Sequence, residues 1–435
     1  MTWKIKIFTI VMASATWVSN AQDTLTLEKV VEKTLSANLD VQIAQVQIQQ
    51  SSNLVSLGQA GFFPSISIGG NAAYSNNNTN LEFAGGLPPV ERNGAVNTSL
   101  GGNIGINYTL FNGLGRVYSY KRLQTQQSLS VVQAKLVSEN AALEAINRFI
   151  NAQQAKANAK LAKANHKISM ERLNYSRKAF ANGSNSKLDL LTAEIDAIND
   201  SLLMIQAESA YNKEIFALNV SLGNQPESAC LISANVPVPV LETSDELLKK
   251  VTDNNTAIII AGLSKKLTEN QLKLSKSQQL PSLSMNAGYG YQSSQNGAGI
   301  ILSQNTLGVN TGLNLSMPIF NGKQLSNAIK NATLDVQKSS FEKEKASLLA
   351  KQLMLEALQD QTVLEVQITN LNKSLQLAEQ GLNRAKVAYQ SGQLRFIELR
   401  AAQTNKLQAE TGLLNTQMNL IRIRYSIKRL MGELI

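Results

Sequence analysis

The sequence contains few of the residues on which catalysis and metal binding usually depend. Its 435 residues include a single cysteine, Cys230, and a single histidine, His166. One residue of each type leaves neither a Cys/His metal cluster nor a Ser-His-Asp set with a choice of partners. A phosphate-binding loop of the Gly-x-x-x-x-Gly-Lys type is also absent. We therefore expect no enzyme, no cofactor and no metal site, although paired carboxylates could still meet in the fold. We interpret His166 as solvated or packed in a helical wall.

Bulky and charged residues are also scarce, since aromatic residues make up 5% of the chain and charged residues 17%. The long periodic segments are filled by Gln, Asn, Ser and Ala, which suit helices packed side by side in a thin wall. The formal net charge is +10, but Lys and Arg are spread along the helices, without an aromatic-interleaved basic stripe. We expect a solvated outer face and no nucleic-acid partner.

Residues 1–21 have the features of a secretory signal peptide. Lys4 and Lys6 precede an apolar run at 5–18, and Ser19-Asn20-Ala21 fits a cleavage site. The alternative, an N-terminal membrane anchor, is disfavoured because the run is shorter than the roughly 20 residues that a span needs. Because Cys230 lies far from this site, no lipid anchor is expected, and as the only cysteine it excludes an internal disulfide.

The rest of the chain contains an internal duplication. Gly392 and Glu398 match Gly183 and Asp189, 209 residues upstream, and both pairs lie between two segments of helical period. A glycine that accepts positive φ ends one helix, and an acid follows in the first turn of the next. Both sites are predicted to be helix–turn–helix tips.

Two further motifs carry the duplication, with a change of offset between them. Phe63-Pro64 is matched by Leu280-Pro281 at an offset of 217, and Phe111-Asn112-Gly113 is matched by Phe320-Asn321-Gly322 at 209. The loop between them is therefore eight residues shorter in the second half. Insertions confined to one loop are typical of a structural repeat.

Each half also contains two stretches in which residues alternate with a period of two, as in β-strands. One face is apolar and the other carries small uncharged residues. In the first half the apolar residues are Ile66, Ile68, Tyr74, Leu100, Ile104 and Ile106. A lipid-facing barrel with a water-filled lumen explains this pattern, and so does a half-buried sheet in a soluble protein.

These periodicities predict two tandem repeats, each with the order helix, strand, strand, long helix, helix. The first repeat is 22–223, with helices at 25–60, 114–181 and 187–222, strands at 65–75 and 97–111, and a loop at 76–93. A linker or equatorial segment follows at 224–242. The second repeat is 243–435, with helices at 245–279, 323–390 and 394–431 and strands at 282–292 and 306–319. The last helix has a seven-residue apolar repeat, which favours supercoiling.

In the order and spacing of these motifs, the mature chain resembles the TolC-like outer-membrane efflux protein family. The resemblance implies a homotrimer in which four strands per chain form a 12-stranded membrane β-barrel. The long helices would continue it as an α-helical coiled-coil barrel across the periplasm. The expected location is the outer membrane of a Gram-negative bacterium.

The resemblance also implies a function and partners. The protein would be the passive exit duct of a tripartite efflux or type I secretion system, joined through a periplasmic adaptor to an inner-membrane transporter. An alternative of another class is a secreted coiled-coil structural protein or adhesin, which would be soluble without detergent.

The same resemblance assigns roles to the two tips. In the family, acids six and nine positions after the second tip glycine face the periplasmic mouth. Here Glu398 holds the first position and Ala401 the second. Glu398 and Asp189 are the gate candidates, alongside Arg395 and Arg400, which would weaken cation selectivity. The alternative is that both acids only stabilise helix N-termini. The predicted adaptor-docking residues are Gly183, Ser184, Gly392 and Gln393.

Overall fold

The computed structural model describes residues 24–86, 88–233 and 236–435. The predicted signal peptide lies outside these residues. The described chain forms eight α-helices and four β-strands, two helices more than the duplication predicts. They are α1 (Leu27–Ala37), α2 (Leu39–Leu54), β1 (Ser65–Leu81), β2 (Val90–Asn112), α3 (Gly115–Ala181), α4 (Lys187–Ser221), α5 (Ser244–Asn254), α6 (Thr256–Ser277), β3 (Ser282–Gln295), β4 (Ser303–Ser316), α7 (Gln324–Gln390) and α8 (Phe396–Leu430).

The four strands form one antiparallel sheet in the order β1-β2-β3-β4. The loop predicted at 76–93 is wrong for most of its length, because β1 and β2 remain paired up to Leu81 and Val90. Backbone hydrogen bonds between strands do not depend on side-chain type, so an Asn-rich stretch can continue a hairpin. The strand predicted at 306–319 instead spans 303–316 and ends two residues before Pro318, which has no N–H to donate.

The Phe-Asn-Gly motifs turn the chain from sheet to helix. Gly113 and Gly322 have φ values of 62° and 63°. The side-chain oxygen of Asn112 accepts a hydrogen bond from the backbone N–H of Arg116 at 3.2 Å. The two helices that follow, α3 and α7, have 67 residues each and are about 100 Å long at 1.5 Å per residue.

The single helices predicted at 25–60 and 245–279 are both wrong, because each is broken in two by an asparagine. Asn38 and Asn255 have extended backbones, and each side chain accepts hydrogen bonds from the first N–H groups of the following helix. The amide of Asn38 also donates to Ser221 O at 2.9 Å, and that of Asn255 to Leu430 O at 2.8 Å. At each break, the asparagine therefore contacts the C-terminal end of a distant helix, α4 at Asn38 and α8 at Asn255. The apolar period continues through both asparagines, so it could not reveal that the helices break there.

We refer to the level of these two helix breaks as the equator. Most large buried side chains lie at this level rather than further along the helices. The first cluster joins α1, α3 and α4 and includes Val30, Phe149 and Leu218. The second joins α5, α7 and α8, and its Leu247 and Ile427 are the repeat equivalents of Val30 and Leu218. The segment predicted as a linker at 224–242 adds Ile232 to the first cluster and forms a bridge to Leu25.

The helices form a wall one helix thick. Below the equator their order is α4, α3, α8, α7, and towards the sheet it is α2, α3, α6, α7. The sheet begins and ends with β1 and β4. One lateral boundary of the chain is therefore β1 with α2 and α4, and the other is β4 with α7. Both boundaries are open in a single chain.

Candidate functional site

The two faces of the sheet differ strongly in chemistry. Large apolar side chains stand exposed on one face, among them Ile68 at 81% and Leu315 at 71% exposure. The opposite face carries small, uncharged side chains. A contiguous apolar band on one side of a sheet is suited to contact with lipid. No helix in the described part of the chain combines the length and apolarity needed to cross a membrane.

At the far end of the long helices, the predicted tips are tight turns. Gly183 and Gly392 have φ values of 73° and 75°. The N–H of Ser184 donates to Ala179 O at 2.9 Å, and that of Gln393 donates to Ala388 O at 2.8 Å. These are six-to-one hydrogen bonds of the kind that close a helix end. A side chain added at either glycine would meet nothing within 4 Å, so both tips are open for contact.

The structure places both gate-candidate acids in the first turns of helices. The carboxylate of Asp189 accepts hydrogen bonds from the Ser186 hydroxyl at 2.7 Å and the Ser186 N–H at 3.3 Å. That of Glu398 accepts from the Arg395 N–H at 2.9 Å. Both acids therefore complete helix caps, as the alternative interpretation requires. Glu398 nevertheless remains exposed.

The two arginines near Glu398 have different surroundings. Arg395 is exposed, and its guanidinium makes no ion pair with any described residue. Arg400 instead turns away from Glu398 and binds both carboxylate oxygens of Asp200 at 3.0 Å. Its Nε also lies 3.5 Å from Asp196. Arg400 thus ties α8 to α4 across the two repeats.

A second arginine completes a tip cluster, which we define as Arg172, Asp196, Asp200, Arg400 and Gln403. Nη2 of Arg172 lies 3.3 Å from Asp196, and its Nη1 donates to the side-chain oxygen of Gln403. The Asp200 side chain is only 1% exposed. The cluster is therefore a largely desolvated charge network in which each acid contacts a guanidinium.

The two guanidinium groups of the tip cluster titrate differently. Burial lowers the pKa of Arg400, but the hydrogen bonds and negative charge of Asp200 outweigh it and raise the pKa above its ordinary value. Burial, followed by the positive charge of Arg400, lowers the pKa of Arg172. Both arginines remain charged at physiological pH.

Three aromatic rings lie on or near the tip cluster. The guanidinium of Arg172 lies 4.9 Å from the ring centre of Phe396, within the range of a cation–π contact. Tyr175 and Tyr389 meet edge to face with centroids 6.0 Å apart. Burial raises the pKa of Tyr389, and the nearby Tyr175 and Asp189 raise it further. Phe396 also joins Leu173 and Leu190 in a small apolar core.

Sequence reasoning missed the tip cluster, apart from Arg400. Asp196 and Asp200 are four residues apart and so lie on one face of α4, which was a usable signal. Arg400, the partner that both acids share, lies 200 residues from Asp200 on another helix, and no local pattern reveals it. Across the described residues, no group of three or more His, Cys, Asp or Glu side chains could hold a metal ion.

The tip cluster predicts a sharp difference between two arginine substitutions. Arg400→Ala would leave the buried Asp200 carboxylate without its guanidinium, which costs about 3–5 kcal/mol. We expect a lower thermal midpoint and faster amide hydrogen exchange in the first turns of α8 and in α4 near Asp200. Arg395→Ala is the control and should change little, because the Arg395 side chain is exposed. Equal effects of the two substitutions would contradict the assignment.

Comparison with known proteins agrees with this architecture. The family model described as outer membrane efflux protein matches residues 30–224 and 247–433. TolC of Escherichia coli is 23% identical over 239 residues, 53% of this chain and 48% of TolC. The chain therefore aligns with about half the length of that relative. Protein CyaE of Bordetella pertussis is 21% identical, over 75% of this chain and 67% of CyaE.

A solved structure shows the same fold. The CmeC outer membrane channel of Campylobacter jejuni superposes with a TM-score of 0.76 at 16% identity, covering 100% of this chain and 94% of CmeC. The matched model covers both repeats and leaves out the segment between them. The fold expected from the sequence, a β-barrel continued by a helical tunnel and built from two repeats, is thus confirmed. The chain belongs to the outer membrane efflux protein family.

Proposed function

We propose that this protein is the exit duct of an export system, through which an inner-membrane transporter passes its cargo by way of a periplasmic adaptor. The observation that carries the proposal is the continuity of the wall. A sheet with an exposed apolar face leads directly into helices about 100 Å long, and both parts share the same open boundaries. Such a wall encloses a passage only when several copies close it.

We further propose that the copies form a homotrimer. An open strand edge within a membrane leaves backbone groups unpaired, and closing the sheet satisfies them. The exposed apolar residues of the boundary helices support this. They are Leu39, Ile43 and Val46 on α2, Ile195, Ile198 and Leu202 on α4, and Leu334, Phe341 and Leu348 on α7. Contact of α7 with α2 and α4 of the next copy would bury both sets.

The repeat predicts the strand register between copies. Within the chain, Ser65 pairs with Asn107, and its repeat equivalent Ser282 pairs with Ser316. The two hairpins therefore have the same register. Between hairpins, Asn107 pairs with Asn286. The equivalent pair across the subunit boundary is Ser316 with Gly69 of the partner subunit.

The helices follow the same rule. Inside the chain α6 packs on α3, where the Thr256 hydroxyl donates to the Glu139 carboxylate at 2.8 and 2.9 Å, and Glu139 is 0% exposed. The repeat equivalents of Glu139 and Thr256 are Leu348 and Leu39, which are 62% and 67% exposed. A polar pair within the chain thus corresponds to an apolar pair at the proposed boundary. Leu348 would meet Leu39 of the partner subunit.

A cysteine pair tests the trimer and its register together. In a Cys230→Ser background, Leu39→Cys with Leu348→Cys should form disulfides between chains on oxidation, because the proposed boundary would bring the two positions into contact. Covalent dimers and trimers should appear on a non-reducing gel. The matched control replaces Leu348→Cys by Leu334→Cys, equally exposed on α7 but about 21 Å away along the helix.

The outcomes separate assembly from register. Cross-linking in the control as strong as in the test pair would contradict the register. A purified protein that stays monomeric in detergent would contradict the trimer.

At the narrow end we propose that Glu398 forms the main charge of the mouth, with Asp189 contributing at the neighbouring tip. Glu398 is exposed, while Arg400 is held by Asp200 and is not available to neutralise it. Three-fold symmetry would place three Glu398 carboxylates in a ring that attracts cations. Arg395, exposed nearby, would reduce the strength of this selectivity.

Substitution of Glu398 should change conduction in a defined way. Glu398→Ala is expected to lower cation selectivity in planar bilayers, because it removes the charged ring. It should also raise single-channel conductance, because it removes the hydrogen bond to the Arg395 N–H that caps the helix at the mouth. Glu398→Gln keeps the size and the hydrogen bond to the Arg395 N–H, so it isolates the charge. It should lower selectivity without loosening the helix cap. Unchanged selectivity in both variants would overturn the role.

We also propose that the adaptor docks on the two tips, around Gly183, Ser184, Gly392 and Gln393. Both turns are exposed and carry small or uncharged side chains, and nothing lies within 4 Å of a side chain added at either glycine. A partner backbone can therefore approach closely.

Bulky residues beside the glycines test docking without straining the turns. Ser184→Trp combined with Gln393→Trp should abolish cross-linking to the adaptor in cells. It should also make the cells sensitive to drugs or other cargo that the system exports. Lys373→Trp, exposed higher on α7, is the control and should leave both unchanged. Undiminished adaptor cross-linking in the double variant would exclude the tips as the docking site.

A further inference from the structure

The sheet face opposite the apolar band is free of charge where all four strands pair. Within the described strands, the charged residues are Glu91 and Arg92. Both lie near the start of β2, beyond the part where all four strands pair, because β2 pairs with β3 only from Thr98 onward. We refer to this uncharged surface as the amide face. Its amide residues in the four-stranded part include Asn71, Asn103, Asn107, Asn286, Gln292, Asn310 and Asn314.

The amide groups lie along the sheet instead of standing away from it. The side-chain oxygen of Asn103 is 2.9 Å from the point where a Cβ on Gly69 would lie, and Asn286 stands in the same relation to Gly312. The oxygen of Asn71 is 2.5 Å from the corresponding point at Gly101. Each amide therefore occupies the space that a side chain on the opposite strand would fill.

Strand register produces this arrangement. Asn103 pairs with Gly69, Asn71 with Gly101, and Asn286 with Gly312. These glycines are not at turns, and their backbones are not in the left-handed region. Because these glycines have no Cβ, the neighbouring amide can lie flat against the sheet.

We propose that the amide face is a charge-neutral lining that passes anionic and cationic solutes alike, and that the glycines opposite its amides keep the bore wide. This inference rests on the proposed function, which makes this face the lumen of the barrel. A surface of amides and hydroxyls offers hydrogen bonds to solutes of either charge but attracts neither sign over a distance. Discrimination by charge then falls to the tips.

Local thiol chemistry tests the lining independently of the tips. In a Cys230→Ser background, Ser284→Cys places a thiol on the amide face, near the helical end of the barrel. Anionic and cationic methanethiosulfonate reagents of equal size are added from outside to cells carrying the protein. The ratio of their rate constants should lie within about threefold of the ratio for a free thiol, since a cleft lined by one sign changes such rates by about tenfold or more.

Two controls calibrate the measurement. Asn286→Asp in the same protein should favour the cationic reagent by about tenfold. Leu315→Cys, on the apolar face, should not react in the membrane. If Leu315→Cys reacts as fast as Ser284→Cys, the barrel of the proposed function fails. If only Ser284→Cys reacts but favours one charge by tenfold without the added acid, the neutral lining fails.

The bore is tested by two glycines of one strand on the amide face. A Cβ on Gly312 would meet Asn286, whereas nothing lies within 4 Å of one on Gly308. Gly312→Val should therefore slow labelling of Ser284→Cys by a bulky thiol reagent much more than Gly308→Val, because it also displaces an amide into the lumen. Equal slowing would refute the role of the glycine. Gly312→Ala against Gly308→Ala gives the same comparison if a valine variant does not assemble.

Discussion

The open edges of the sheet are the constraint on which the rest of this structure depends. In hydrocarbon an unpaired backbone group costs several kcal/mol, so a four-stranded sheet cannot stay open in a membrane. β1 and β4 leave such edges at the two sides of the chain, and the helical wall ends at the same sides with α2, α4 and α7. The proposed closure by further copies would satisfy the sheet and cover the apolar helix faces in one step.

The duplication suits such a closure, because the packing scheme seen within the chain could also serve between chains. The two hairpins have the same register, and both long helices begin at a Phe-Asn-Gly turn. The sequence differs where the two environments differ. Glu139 and Thr256 bond within the chain, whereas Leu39 and Leu348 stand exposed at the boundaries. A buried carboxylate is tolerable where its partner is part of the same chain, while apolar contact suits a surface that forms only on assembly.

At the tips, two kinds of charged residue have different surroundings. Arg400 and Asp200 are desolvated and join the two helical hairpins, so they act in structure. Glu398 is exposed at a helix N-terminus, and in the proposed function it carries the charge that a solute would meet. Family membership favours an outer-membrane exit duct over a secreted adhesin. Together with the uncharged amide face, the proposed Glu398 ring would concentrate charge selectivity at one end of the passage.

The sequence alone determined the repeat, the order of the strands and the two long helices, both tips and the two faces of the sheet. These follow from periodicity and from glycines with positive φ, which are local properties of the chain. Only the tertiary structure decided that Asn38 and Asn255 break helices, since each asparagine is held by a carbonyl on a helix end about 180 residues away. It also decided that Arg400 binds Asp200 rather than Glu398. Both outcomes depend on which helices meet in space, and no periodicity within one helix carries that information.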